Sequence, residues 1–153
     1  MKRVHLVVGM PMSGKTLYAK DLAKSLDFEM VHLVKYLYGK SYEEALEALH
    51  RDLDFKKGKY VIQGVCWEPE SDDKTWRFFQ DLIKYVDKVW LVRPIGKYLM
   101  VSRTIESDLD LQTKTEFIIR SLETYEQHVE KLQYVECMLA HKRIHTEIIE
   151  KCS

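Results

Sequence analysis

The chain has 153 residues, of which 46% are apolar, 11% aromatic and 31% charged. That is the composition of a globular protein with a substantial core, and it excludes a disordered or fibrous chain. Lys plus Arg equals Asp plus Glu at 24 each, so no global positive field gathers nucleic acid or an anionic membrane.

In chain order, Val4 to Val8 is a short apolar run ending at Gly9, the pattern of a strand buried on both faces. From Gly14 to about Leu26, Tyr18, Leu22, Ala23 and Leu26 recur at helical spacing. Met30 to Val34 reads as a second strand. Ser41-Tyr42-Glu43-Glu44 is a capping box that opens a helix with Tyr42, Ala45, Leu46 and Leu49 on one face. Lys56-Lys57-Gly58-Lys59 breaks the pattern, and Tyr60 to Val65 is β-rich. Asp72 or Asp73 caps a helix carrying Trp76, Phe79, Leu82 and Ile83 and ending near Val86.

Lys88 to Val92 is a fourth strand, followed by a helix near Tyr98 to Ile105 and a polar loop from Ser107 to Thr113. The longest helical pattern then runs from Lys114 to His141, with Phe117, Ile118, Leu122, Tyr125, Val129 and Leu132 expected on its buried side. Ile144 to Ile149 is a last strand. Such alternation specifies an α/β fold: a three-layer α/β/α sandwich around a parallel sheet of about five strands, in one domain spanning 1–153.

The cysteines Cys66, Cys137 and Cys152 are odd in number and show no C-x-x-C pair. They read as reduced thiols, and neither a disulfide framework nor a zinc site is expected. No apolar stretch is long enough to span a bilayer, and the run before Gly9 is too short for a signal-peptide core. The expectation is a soluble cytoplasmic protein. His32, His128, His141 and His145 have no ligand spacing and read as structural or surface residues.

The chemistry is concentrated in Gly9-Met10-Pro11-Met12-Ser13-Gly14-Lys15-Thr16, which matches G-x-x-x-x-G-K-[ST] at every fixed position. Gly9 lets the chain leave the strand tightly, and Gly14 brings the backbone close to a phosphate with no Cβ in the way. Successive amides form a concave anion nest, and the following helix aims its positive end at the same anion. The nucleotide contacts expected from this unit are Gly9, Met12, Ser13, Gly14, Lys15, Thr16 and Leu17. Lys15 reaches the β- and γ-phosphates, and the Thr16 hydroxyl ligates magnesium. ATP and Mg²⁺ are the implied cofactors. The motif lies directly after a strand pattern and before an amphipathic helix, as its chemistry requires.

These residues resemble the small-molecule P-loop kinases, the nucleoside and nucleotide kinases with their shikimate- and gluconate-kinase cousins. The resemblance is specific over the P-loop unit and extends to the rest of the chain in layout. The D-x-x-G and N-K-x-D signatures of signalling GTPases are absent. It implies an acidic residue at the end of the third strand, yet the chain reads Val61-Ile62-Gln63-Gly64-Val65. Gln63 can order a metal-bound water but brings no charge and cannot act as a base. Glu68 in the following loop is the candidate to supply the missing carboxylate. The D-G-F-P-R stretch by which nucleotide kinases grip a phosphate is absent too. After the fourth strand the resemblance implies a clamp arginine and a lid. Arg103 is the candidate clamp, with Arg93 and Arg120 nearby in the layout, and Glu106 to Lys114 is a short candidate lid.

The reading is therefore a magnesium- and ATP-dependent phosphotransferase with Lys15, Arg103 and Glu68 as catalytic candidates and Thr16 and Gln63 as metal-shell candidates. A nucleoside or nucleotide is the acceptor implied by resemblance; fold does not assign it. Tyr36, Tyr38, Trp67, Trp76, Phe78 and Phe79 flank the acceptor region, where Lys35, Lys40 and Arg51 also lie. Two alternatives stand beside it. One is a polynucleotide kinase, which the neutral composition disfavours. The other is a nucleotide-binding switch or slow NTPase, which Gln63 favours.

Overall fold

A computed structural model describes residues 2–9, 14–64, 73–94 and 97–151, with a few side chains within that span left out. Five strands form one parallel sheet in the order β2-β3-β1-β4-β5. They are β1 (Val4–Gly9), β2 (Glu29–His32), β3 (Tyr60–Gln63), β4 (Lys88–Pro94) and β5 (His145–Lys151). The helices are α1 (Lys15–Leu26), α2 (Val34–Leu37), α3 (Tyr42–Asp52), α4 (Asp73–Leu82), α5 (Lys97–Glu106) and α6 (Leu111–His141). The three-layer α/β architecture expected from the alternation is the one observed.

β1 is the central strand, and all six of its residues are buried. Its alternation divides the core. Val4, Leu6 and Val8 face a large cluster with Ile62, Leu91, Phe78, Phe79 and Leu82, sealed by α3, α4 and the end of α6. Val7 faces the other way, with Val61 and Val92, and is covered by Ala19 and Ala23 of α1. The period-2 geometry of the strand thus supplies both interfaces of the sandwich.

Several expected boundaries move, each for a local reason. β2 ends at His32, not Val34. The Leu33 amide makes one last bond to the Gln63 carbonyl, and the Leu33 carbonyl then accepts from Tyr36 and Leu37 to start α2. The Ser41 capping box forms, with the Ser41 hydroxyl accepting from the Glu44 amide at 3.2 Å and the Glu44 carboxylate accepting from the Ser41 amide at 3.4 Å. α6 begins at Leu111, because Asp110 caps it by accepting from the Thr113 amide at 2.8 Å and the Thr113 hydroxyl at 2.8 Å. Those bonds hold the Asp110 carboxyl below its ordinary range.

The expected buried side of α6 needs a correction. Leu132, Val135 and Leu139 are buried, whereas Leu122 is 44% exposed. A helix of 31 residues is ~46 Å long, and a strand of 7 residues spans only ~23 Å. The sheet can cover only about half of such a helix, and it covers the C-terminal half.

Candidate functional site

The strand order creates the site. From β1 the sheet grows to β3 on one side and to β4 on the other, so the crossovers diverge at β1. The carboxyl ends of β1 and β3 therefore border the crevice where ligands sit in open α/β sheets. Gly9 is the last residue of β1, and Gln63, in register with Val7, is the last of β3.

Gly14 adopts a left-handed conformation (φ 88°, ψ 16°) immediately before α1, which a residue with a Cβ adopts only under strain. It sits at the N-cap without a side-chain cap bond, and the first turn of α1 carries no acidic residue. Neither a side-chain cap bond nor an acidic residue in the first turn offsets the positive dipole end of α1, an electrostatic condition that favours an anion. The Lys15 ammonium reaches back to donate to the Gly9 carbonyl at 3.3 Å, which places its charge at the carboxyl end of β1. Thr16 is on the exposed face of the first turn, and Leu17 beside it is 63% exposed.

Thr16 and Gln63 meet, although they are far apart in sequence. The Thr16 hydroxyl donates to the Gln63 side-chain oxygen at 3.5 Å. Gln63 is 7% exposed, and its amide nitrogen is in hydrogen-bond contact with Nδ1 of His32, its register partner on β2. From sequence His32 is expected to be structural or surface; it is exposed, yet it joins the site through Gln63. Sequence carried no signal for this contact, because it depends on β2 lying beside β3 in a particular register.

Thr16 and Gln63 together offer neutral, hard oxygens. Such a pair fits a magnesium ion that keeps several waters and draws its remaining ligands from nucleotide phosphates. Among the described residues no group of three or more His, Cys, Asp or Glu could hold a metal ion. Met12, Ser13 and Glu68 lie outside the described residues, as do Cys66 and Trp67. Arg103 falls within α5, and its side chain is not described.

The neighbouring cations and aromatics are placed differently from the layout expectation. Arg93 pairs with Glu150 at 2.6 Å across the β4–β5 ladder, so its charge is taken up there. Tyr36 is buried, and its hydroxyl donates to the Asp52 carboxylate at 2.9 Å. Burial, reinforced by that carboxylate, pushes the phenol up to about 12, so Tyr36 is a neutral donor rather than a base. Phe78 and Phe79 are core residues, and Trp76 packs on Phe79 with ring centroids 5.3 Å apart. Tyr38 is 85% exposed. The candidate lid contracts to residues 107–110 between α5 and α6, with Lys114 donating to the Ile105 carbonyl at 2.7 Å. Away from the site, a cavity of about 720 Å³ opens at the amino edge of β3 and is lined by His50, Phe55, Tyr60 and Tyr85.

No family profile and no curated protein matches the sequence. The chain does resemble solved structures over nearly its whole length. An unliganded sugar kinase from Janibacter sp. HTCC2649 is 14% identical with a TM-score of 0.61, covering 98% of this chain and 86% of that one. The YorR protein from Bacillus subtilis, in complex with phosphorylated GDP, is 15% identical with a TM-score of 0.58, covering 96% and 85%. Shikimate kinase from Acinetobacter baumannii, in complex with shikimate, is 14% identical with a TM-score of 0.55, covering 98% and 84%. At these identities the likeness establishes the fold, which is that of the small α/β kinases.

Proposed function

We infer that this chain is an ATP- and magnesium-dependent phosphotransferase that moves the γ-phosphoryl group to a small acceptor, a nucleoside or nucleotide. One observation carries the reading. Of the G-x-x-x-x-G-K-T unit, Gly9 ends the central strand, Gly14 turns into α1, and the Thr16 hydroxyl meets Gln63 of the adjacent strand. The kinases among the similar folds support it.

In this reading the loop amides from Gly9 to Leu17 cradle the phosphates, and Lys15 neutralises the β- and γ-oxygens. Thr16 and Gln63 hold the metal shell, and magnesium when bound neutralises charge developing on the transferred group. The acceptor oxygen bonds to the γ-phosphorus as the bond to the bridging oxygen breaks, and ADP leaves with that electron pair. Glu68 takes the acceptor's proton, and Arg103 clamps the phosphates. Transfer of this kind depends mostly on positioning and electrostatics, which suits a site rich in donors. The protein acts as one domain in the cytoplasm.

A second reading has a specific basis. Gln63 supplies no charge to the metal shell, and the connection between α5 and α6 is too short to exclude water broadly. Both features favour a nucleotide switch or slow NTPase.

Incubation with magnesium and γ-labelled ATP separates the readings. The acceptors supplied are pooled nucleosides, nucleoside monophosphates, and single- and double-stranded oligonucleotides. Label moving to the nucleoside or monophosphate pool, and not with Lys15→Ala, is the expected result. Label moving to the oligonucleotides assigns a polynucleotide kinase. Label released only as free phosphate, at one rate whatever the pool, overturns the transferase reading in favour of the NTPase.

A further inference from the structure

We propose that His32 is a positioning residue of the phosphate site: it accepts a hydrogen bond from the Gln63 amide nitrogen and so holds the Gln63 carbonyl oxygen on Thr16. The inference rests on the magnesium reading above and deepens it.

The available donors and acceptors fix the arrangement. A threonine hydroxyl whose oxygen binds a metal keeps one lone pair, but the cation makes it a poor acceptor, so the group acts as a donor. Whatever faces Thr16 must then be an acceptor, and the side-chain atom that meets it is the Gln63 oxygen at 3.5 Å. An amide presents its two ends oppositely, so the NH₂ of Gln63 points away from Thr16 and needs an acceptor of its own. Gln63 is 7% exposed, and water offers itself poorly there. Nδ1 of His32 is the atom in contact with that nitrogen.

β2 and β3 run parallel with His32 directly opposite Gln63, so both side chains leave the same face of the sheet. To accept at Nδ1 the imidazole must be the neutral tautomer protonated at Nε2. Remove the ring, and either end of the amide can face Thr16. Half of those orientations set a donor against a donor and turn the oxygen out of the metal shell. His32 is exposed and contributes nothing to the core, so its loss is not expected to compromise folding.

Two variants and one spectrum test this. In the ligand-free protein, ¹⁵N NMR is expected to show scalar coupling across the hydrogen bond between Gln63 Nε2 and His32 Nδ1, with the ring proton on Nε2. Affinity for a non-hydrolysable ATP analogue is then measured by calorimetry with and without magnesium. His32→Phe is expected to lose about tenfold to a hundredfold of the magnesium-dependent affinity, the usual effect of removing a group that orients a metal ligand. Its metal-free affinity stays at the wild-type level. His32→Asn, whose amide oxygen replaces Nδ1 as acceptor, retains most of the magnesium response. No coupling, a His32→Phe variant equal to wild type, or a His32→Asn variant as weak as His32→Phe overturns the proposal while leaving the kinase reading intact. A wild-type affinity indifferent to magnesium overturns the magnesium reading itself, and this inference with it.

Discussion

Gly64→Ala sets two effects of opposite sign against each other, and the structure decides between them. Replacing glycine by alanine at a compatible position restricts the unfolded chain and stabilises by about 0.4–1 kcal/mol. Gly64 does not lie in the positive-φ region, so the backbone itself would tolerate alanine. The space does not. A Cβ there would sit 2.6 Å from Leu33 Cβ and 3.1 Å from Leu33 Cδ1, well inside the ~3.5–4.0 Å of a favourable carbon–carbon contact.

Rotation of the Leu33 side chain relieves the second contact but leaves the first, because Cβ is fixed to the backbone. That backbone is itself held, with the Leu33 amide bonded to the Gln63 carbonyl at 2.9 Å and the side chain fully buried. Overpacking of this kind costs about 1–3 kcal/mol. The steric cost outweighs the entropic gain, and the net destabilisation is about 1–2 kcal/mol, or a fall in Tm of roughly 2–8 °C for a domain this size. Gly64 adjoins Gln63, so nucleotide affinity in magnesium falls as well. Thermal unfolding followed by circular dichroism reads the first effect and calorimetric titration the second. A Tm unchanged or raised in Gly64→Ala refutes the reasoning.

Other outcomes follow from particular contacts. Leu139→Ala, in the covered half of α6, is expected to cost about 2–5 kcal/mol, whereas Leu122→Ala stays within about 0.5 kcal/mol; denaturant midpoints compare them. Ser41→Ala breaks the capping box and costs about 1 kcal/mol in the same assay. His5 is buried on β1, where its Nδ1 accepts from the Trp90 indole at 3.0 Å. Burial, and then the charge of Lys88, holds its pKa below the ordinary 6.5 against the opposing pull of the Lys2 carbonyl and Asp87. The unfolded chain therefore binds the proton first. The stability from neutral His5 is complete above about 6.5 and is lost as the pH falls from there through the folded value. Urea midpoints at stepped pH are expected to drop over that window less steeply in His5→Phe. Lys15→Ala should abolish binding of the ATP analogue in calorimetry, since in the proposed reading its ammonium neutralises the β- and γ-oxygens.

The sequence made most element types legible, α2 excepted, together with the place of the G-x-x-x-x-G-K-T unit along the chain. Strand and helix periods are local properties, and G-x-x-x-x-G-K-T is a contiguous unit. It also determined the Ser41 box, because a cap is written within one turn of helix. Boundaries were less legible wherever a tertiary bond set them. Leu33 leaves β2 because of what its amide and carbonyl bond to, and the residue's β propensity says nothing of this. The buried half of α6 depends on how far the sheet extends beneath it, which no periodicity records.

The site divides in the same way. Lys15 and Thr16 are candidates that the motif alone supplies. Gln63 stands out in the sequence for an expected charge that it lacks. That Gln63 lies against Thr16, and His32 against Gln63, was decided by β3 inserting between β1 and β2, since parallel pairing joins residues that the chain separates by a whole crossover. Arg93 shows the converse. Its position after a strand suggested the site mouth, but Glu150 on the neighbouring strand takes its charge. Strand order and register are set by the packing of the two faces together, and only the folded chain specifies them.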